Sequence, residues 1–238
     1  MIDREPISRA CPSSKSHTPF PHATACVAIL LFLSLLVCGG TSKMSEDNPV
    51  EQPEVNAEFL NMLAKWQAVR TPGNEHELLG KLAGQWDILL RFHGGPQNWE
   101  SKCTSRSTLL HGGRFLLEQI TGEIYAPDQK GQMRLEPYTA TRLLGYDSYK
   151  KAYVAAFAEN QNTYLLTFLG HPGPGGSADQ ISMFGLSDEP MLDLHDATMK
   201  YVLRLKDDDH YAWEVYALAV GDEAKAFDFI YTRQPETR

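Results

Sequence analysis

The chain has 238 residues, 42% hydrophobic content and a formal net charge of −8, a composition that suits a globular domain with a sizeable core. Arg4, Arg9, Lys15 and Lys43 against Asp3 and Glu5 give +2 for residues 1–43, leaving −10 on the remainder. With no Lys/Arg cluster to counter it, that field argues against nucleic acid and anionic membrane surfaces as partners. Cys11, Cys26 and Cys38 fall before residue 43 and Cys103 is alone beyond it, which excludes an intradomain disulfide and a cysteine-based zinc site.

The apolar run Ala23 to Cys38 is broken only by Thr24 and Ser34. It is shorter than the about 20 residues that span a bilayer. Basic residues precede it and Gly39-Gly40-Thr41-Ser42 follow, the layout of a secretory signal. An uncleaved anchor is the alternative. Both readings place the protein outside the cytoplasm, exported or membrane-anchored on the periplasmic side, with membrane contact only through residues 23–38 if that segment stays uncleaved. A start at Met44, which opens the soluble-looking Met44-Ser45-Glu46-Asp47, would instead make it cytoplasmic. Val37 before Cys38 is too large for an ordinary lipid-attachment site. The organisation read from the sequence is a leader (1–43), an acidic linker and helix (44–74), and a β-domain (75–238).

Pro49, Pro53 and several acids mark the linker. Asn56 is a candidate N-cap for a helix to Arg70, with Phe59, Leu60, Leu63 and Trp66 at helical spacing. Thr71-Pro72-Gly73-Asn74 ends it, and residues 75–83 supply one or two further turns. After Gly84 the period becomes two: Trp86, Ile88, Leu90 and Phe92 share a face. Further strands are read at 98–110, 114–125, 138–147, 151–158, 163–169, 179–186, 199–205, 211–215 and 224–233. Turn signals separate them, including Gly94-Gly95-Pro96, His111-Gly112-Gly113, Asp147-Ser148-Tyr149-Lys150 and Asp207-Asp208-Asp209. Residues 170–177 read as a loop, and the polar insert 126–137 as a flap at a barrel mouth. About ten short strands without intervening helices mean a sandwich or an up-and-down barrel.

Five pieces occur in order: Leu82-x-Gly84-x-Trp86, Gly112-Gly113-Arg114-Phe115-Leu116-x-Glu118, Leu144-Gly145-Tyr146-Asp147, Lys151-x-Tyr153-Val154 and Ile230-Tyr231-Thr232-Arg233. This series resembles an uncharacterised bacterial family, domain of unknown function 1579, over roughly residues 75–233. The resemblance implies an all-β, antiparallel, calycin-like barrel related in shape to lipocalins and fatty-acid-binding proteins; the short N-terminal helix before it, outside the resemblance, is expected to pack near one end. The resemblance further implies that Trp86 packs against Arg233 at the closed end, and that an internal cavity exists. It carries no activity.

Trp86 and Arg233 are expected to form a cation–π contact, structural or as the floor of a cavity. Glu118 and Arg142 sit mid-strand. If they face inward they could pair and orient a polar ligand; otherwise they face solvent. Tyr153, Phe157, Tyr164 and Phe168 supply aromatic mass on successive strands, as core or as cavity lining. His93, His111, His171, His195 and His210 fall at turns or strand ends, and none stands out as a haem ligand. Asp193, His195 and Asp196 form the most ligand-like local cluster, and Asp207-Asp208-Asp209 is read as a solvated turn. No zinc-protease helix motif, nucleophile elbow or phosphate loop is present.

The sequence therefore favours a non-catalytic barrel that holds a small, mostly apolar ligand. The candidate lining is Trp86, Glu118, Arg142, Tyr153, Phe157, Tyr164 and Arg233, with no catalytic residue, no metal and no cofactor. An enzyme of dehydratase, isomerase or hydrolase type using Glu118 with a nearby His, and a structural module that forms a homodimer, are the alternatives.

Overall fold

A computed structural model describes residues 56–94, 97–173 and 179–235. The leader, the Met44 start and the linker lie outside the described residues. Asn56 caps helix α1 (Ala57–Arg70): its side-chain Oδ1 accepts the Phe59 N–H at 2.8 Å. Phe59, Leu60, Met62, Trp66 and Val69 are nevertheless exposed, and α1 buries no residue. It therefore does not pack on the barrel end as expected. That place is taken by helix α2 (Glu77–Leu82), whose Leu78, Leu79 and Leu82 are buried. The last carbonyl of α1 is instead held from the barrel, where Arg114 donates from Nε and Nη2 to Arg70 O at 3.1 and 2.6 Å.

The remainder is a closed, ten-stranded antiparallel barrel. The strands are β1 (Gly84–Phe92), β2 (Trp99–Leu110), β3 (Phe115–Pro127), β4 (Met133–Asp147), β5 (Ala152–Glu159), β6 (Leu166–Pro172), β7 (Gln180–Glu189), β8 (Leu194–Asp207), β9 (His210–Ala217) and β10 (Lys225–Arg233). Each pairs with its neighbours in sequence, and β10 pairs back onto β1 with Trp86 opposite Arg233 and Phe92 opposite Phe227. Closure leaves no sheet edge in need of protection.

Period-two alternation sends one set of side chains inward. Trp86, Ile88 and Leu90 do so from β1, and Tyr211, Trp213 and Val215 from β9. Strand β2 fully buries only small groups, Ser101, Cys103, Ser105 and Ser107.

Several boundaries differ from the sequence reading. The polar stretch 126–137 is no separate flap: β3 continues to Pro127 and β4 begins at Met133, so it is the outer end of a long hairpin. Strand β6 runs through Gly170 to Pro172, into what read as a loop. A Cβ on Gly170 would come within 2.1 Å of Ser182 O, so this glycine permits close strand approach rather than a turn. His195 and Asp196 lie within β8 instead of in a loop.

Candidate functional site

The closed end is built first. Gly84 opens β1 at φ +134°, a conformation that L side chains rarely adopt. Trp86 follows, and its indole Nε1 donates to Leu82 O at 3.0 Å. Arg233 Cζ lies 4.1 Å from the Trp86 ring centroid. The same guanidinium donates to Lys81 O, Ala83 O and Asp208 O at 2.7–3.0 Å. On the inner side of Trp86, Tyr211 and Tyr231 stack with centroids 4.1 Å apart and 13° between planes. The end is thus sealed by packed rings.

One layer inward lies a buried ion pair. Glu118 on β3 and Arg142 on β4 are register partners and both face in. Arg142 Nη1 donates to Glu118 Oε2 at 2.7 Å and to the Tyr231 hydroxyl at 3.5 Å. The guanidinium is ringed by aromatics, with Cζ 4.6 Å from the Trp213 centroid, 5.2 Å from Phe157 and 6.0 Å from Phe229. Burial pulls the Arg142 pKa down, but Glu118 and the neighbouring tyrosines outweigh it and hold the group firmly charged. Glu118 Oε1, Ser101 Oγ, Ser105 Oγ and Ser107 Oγ are buried without a hydrogen-bond partner.

Above this pair the interior opens into a cavity of about 330 Å³. Its walls are mostly apolar and aromatic, with Phe157, Phe168, Trp213 and Phe229 deep and Phe92, Tyr125 and Phe227 toward the mouth. Arg142 forms part of its floor. Near the mouth, Glu159 Oε2 accepts the Tyr138 hydroxyl at 2.6 Å, and Oε1 accepts Asn162 Nδ2 at 2.8 Å. Burial raises the Glu159 carboxyl above its ordinary value, although Tyr138, Asn162 and Arg142 pull it back. Burial likewise raises the Tyr201 phenol, and Glu159 adds to the rise. A convergent set of polar groups within an aromatic-lined cavity is the usual make-up of a small-molecule site.

Of the seven residues proposed from sequence, Arg142, Phe157 and Tyr164 line this cavity. Glu118 lies behind Arg142. Trp86 and Arg233 seal the far end, and Tyr153 is turned toward the helical end, its hydroxyl donating to Glu75 O at 3.1 Å. Sequence reasoning passed over Tyr138, Glu159, Tyr201, Trp213 and Phe229. A signal existed for Glu159, since the inward set of β5 is Tyr153, Ala155, Phe157 and then Glu159.

Among the described residues no hydrogen bond or ion pair joins Glu118 to a histidine. His93, His195 and His210 have partners outside the cavity, in Asp228, Asp188 and Asp207. Among the described residues no three His, Cys, Asp or Glu side chains group to hold a metal ion.

The profile of a family described as "Protein of unknown function (DUF1579)" matches residues 71–233. The chain belongs to that family. The matched span contains the whole barrel, α2 and the residues that line the cavity. No curated protein matches the chain. A solved redesigned β-barrel is similar over 66% of this chain and 96% of its own length, at 11% identity and a TM-score of 0.34.

Proposed function

We propose that this DUF1579 protein binds a small, mostly apolar molecule inside its barrel and does not transform it. The observation that carries the reading is the aromatic-lined cavity of about 330 Å³ above the Glu118–Arg142 pair. Displacing water from aromatic walls favours an apolar occupant. The calycin-like shape suggested by Gly84-x-Trp86 and Arg233 belongs to the same reading, as does a leader at residues 23–38 that exports or tethers the barrel.

Calorimetric titration with 2-methylnaphthalene tests it. Saturable binding at one site is expected, and Ala155→Phe, which fills the cavity wall, should abolish it while the variant stays folded. Undiminished binding to a folded Ala155→Phe variant, or no binding to the parent, would end the cavity reading.

A further inference from the structure

The guanidinium of Arg142 has two edges, and only one is occupied. Nη1 carries the bonds to Glu118 and Tyr231. Nε and Nη2 have no partner among the described residues. Neither is among the fully buried, unpartnered side-chain atoms, as Glu118 Oε1 is, and Arg142 itself lines the cavity. The Nε/Nη2 edge presents two parallel N–H donors, the geometry that matches the two oxygens of a carboxylate.

The surroundings hold that edge in place. Trp213, Phe157 and Phe229 surround the guanidinium, and Glu118 fixes its far side. An incoming planar acceptor therefore meets donors already oriented, with little side-chain entropy left to lose. In a cavity shielded from bulk water, such charge-assisted bonds are stronger than at a surface.

The geometry points to a carboxylate as the polar end of the ligand: an apolar or aromatic monocarboxylate seated head-down, with both oxygens on Arg142 Nε and Nη2 and its body against Phe157, Trp213 and Phe229. This rests on the cavity reading above and adds the chemical class. The direction follows from charge. Arg142 is level with Phe157 in the β4–β5 register. Glu159 stands one inward step, about 7 Å, closer to the mouth. A carboxylate is repelled at the Glu159 end and attracted at the floor.

The test compares three probes on one scaffold by calorimetry: 2-naphthoate, 2-acetylnaphthalene as its neutral near-isostere, and 2-methylnaphthalene. On the parent protein, 2-naphthoate should bind at least about tenfold tighter than 2-acetylnaphthalene. In the Arg142→Gln/Glu118→Gln double variant, which leaves no lone buried charge, the two should bind alike. A readout without substitution is the Arg142 Nε–H resonance, which should move downfield with 2-naphthoate and not with 2-methylnaphthalene. Equal or weaker binding of 2-naphthoate to the parent overturns the carboxylate assignment while 2-methylnaphthalene binding keeps the cavity reading. A preference that survives in the folded double variant, or a static Nε–H resonance, also overturns it. If none of the three binds, both readings fall together.

Discussion

Arg233 closes the barrel through Trp86: its guanidinium covers the indole at 4.1 Å and caps carbonyls from α2, from the α2–β1 junction and from the β8–β9 turn. A planar fork is required to serve three directions at once, and an ammonium cannot do so. Arg233→Lys should therefore cost about 2–3 kcal/mol of unfolding free energy, read as a lower urea midpoint at unchanged slope. Gly84→Ala should be at least as damaging, because a Cβ there would sit 2.6 Å from Arg233 Nη1 in a conformation at φ +134°. A parent-like midpoint for Gly84→Ala would show that the closed end rearranges freely.

The Glu118–Arg142 pair is buried on both sides. Removing one partner strands the other charge, so Glu118→Leu and Arg142→Met alone should each destabilise by roughly 3–5 kcal/mol. The double variant should lose much less than the sum. A double-mutant cycle by denaturant unfolding gives the coupling directly, and additive losses would mean that the two side chains do not depend on one another.

Ser101, Ser105 and Ser107 place unpartnered hydroxyls inside the barrel. Burying such a group costs on the order of 1–3 kcal/mol. Ser105→Ala removes the group with little change of volume and is expected to raise the thermal midpoint. A lowered midpoint would show that the hydroxyl is satisfied in solution, with ordered water the obvious partner.

Two carboxylates should tilt stability in opposite directions with pH. Burial leads in raising the Glu159 pKa from its ordinary value near 4.5. The folded state therefore holds that proton more tightly than the unfolded chain. The resulting stability is complete below 4.5 and is lost as pH rises through the folded value. Burial also pushes Glu214 up, but hydrogen bonds from Arg204, Lys225 and Tyr216 outweigh it and leave its pKa lowered. Its contribution is present above 4.5 and fades as pH falls through the folded value. Unfolding measured from pH 3 to 7 should show Glu159→Gln gaining on the parent as pH rises. Glu214→Gln should lose most at neutral pH. A parent-like pH slope in either variant counts against the assignment for that residue.

The barrel was legible because its strands alternate cleanly. One face of β1, Trp86, Ile88 and Leu90, announces both the period and the core. The Trp86 and Arg233 positions could be matched across the chain because one opens the first strand and the other ends the last. Legibility failed where strands leave the core. In the outer hairpin of β3 and β4, Arg134, Leu135 and Glu136 pair across the strands without being buried in the core, so no hydrophobic alternation marks them as strand. Gly170 read as a loop residue because composition does not distinguish a glycine that turns from one that lets two strands touch. The cavity wall was the least legible. Which of two faces lines a hollow depends on the register of β5 through β9, and that register comes from distant pairing rather than local sequence. Helix α1 shows the converse: its capping residue and length were readable, but helical spacing did not lead to burial.

Strand β1 hydrogen-bonds on one side to β2, its immediate successor, and on the other to β10. During synthesis that second side stays vacant until Arg233 has emerged, and the nine earlier strands can form only an open sheet whose free border invites mispairing. Nascent chains should therefore pass through a long interval of dependence on chaperones, ended by the arrival of a single strand. Because β9 and β10 carry Trp213 and Phe229, the hollow itself cannot exist before that moment.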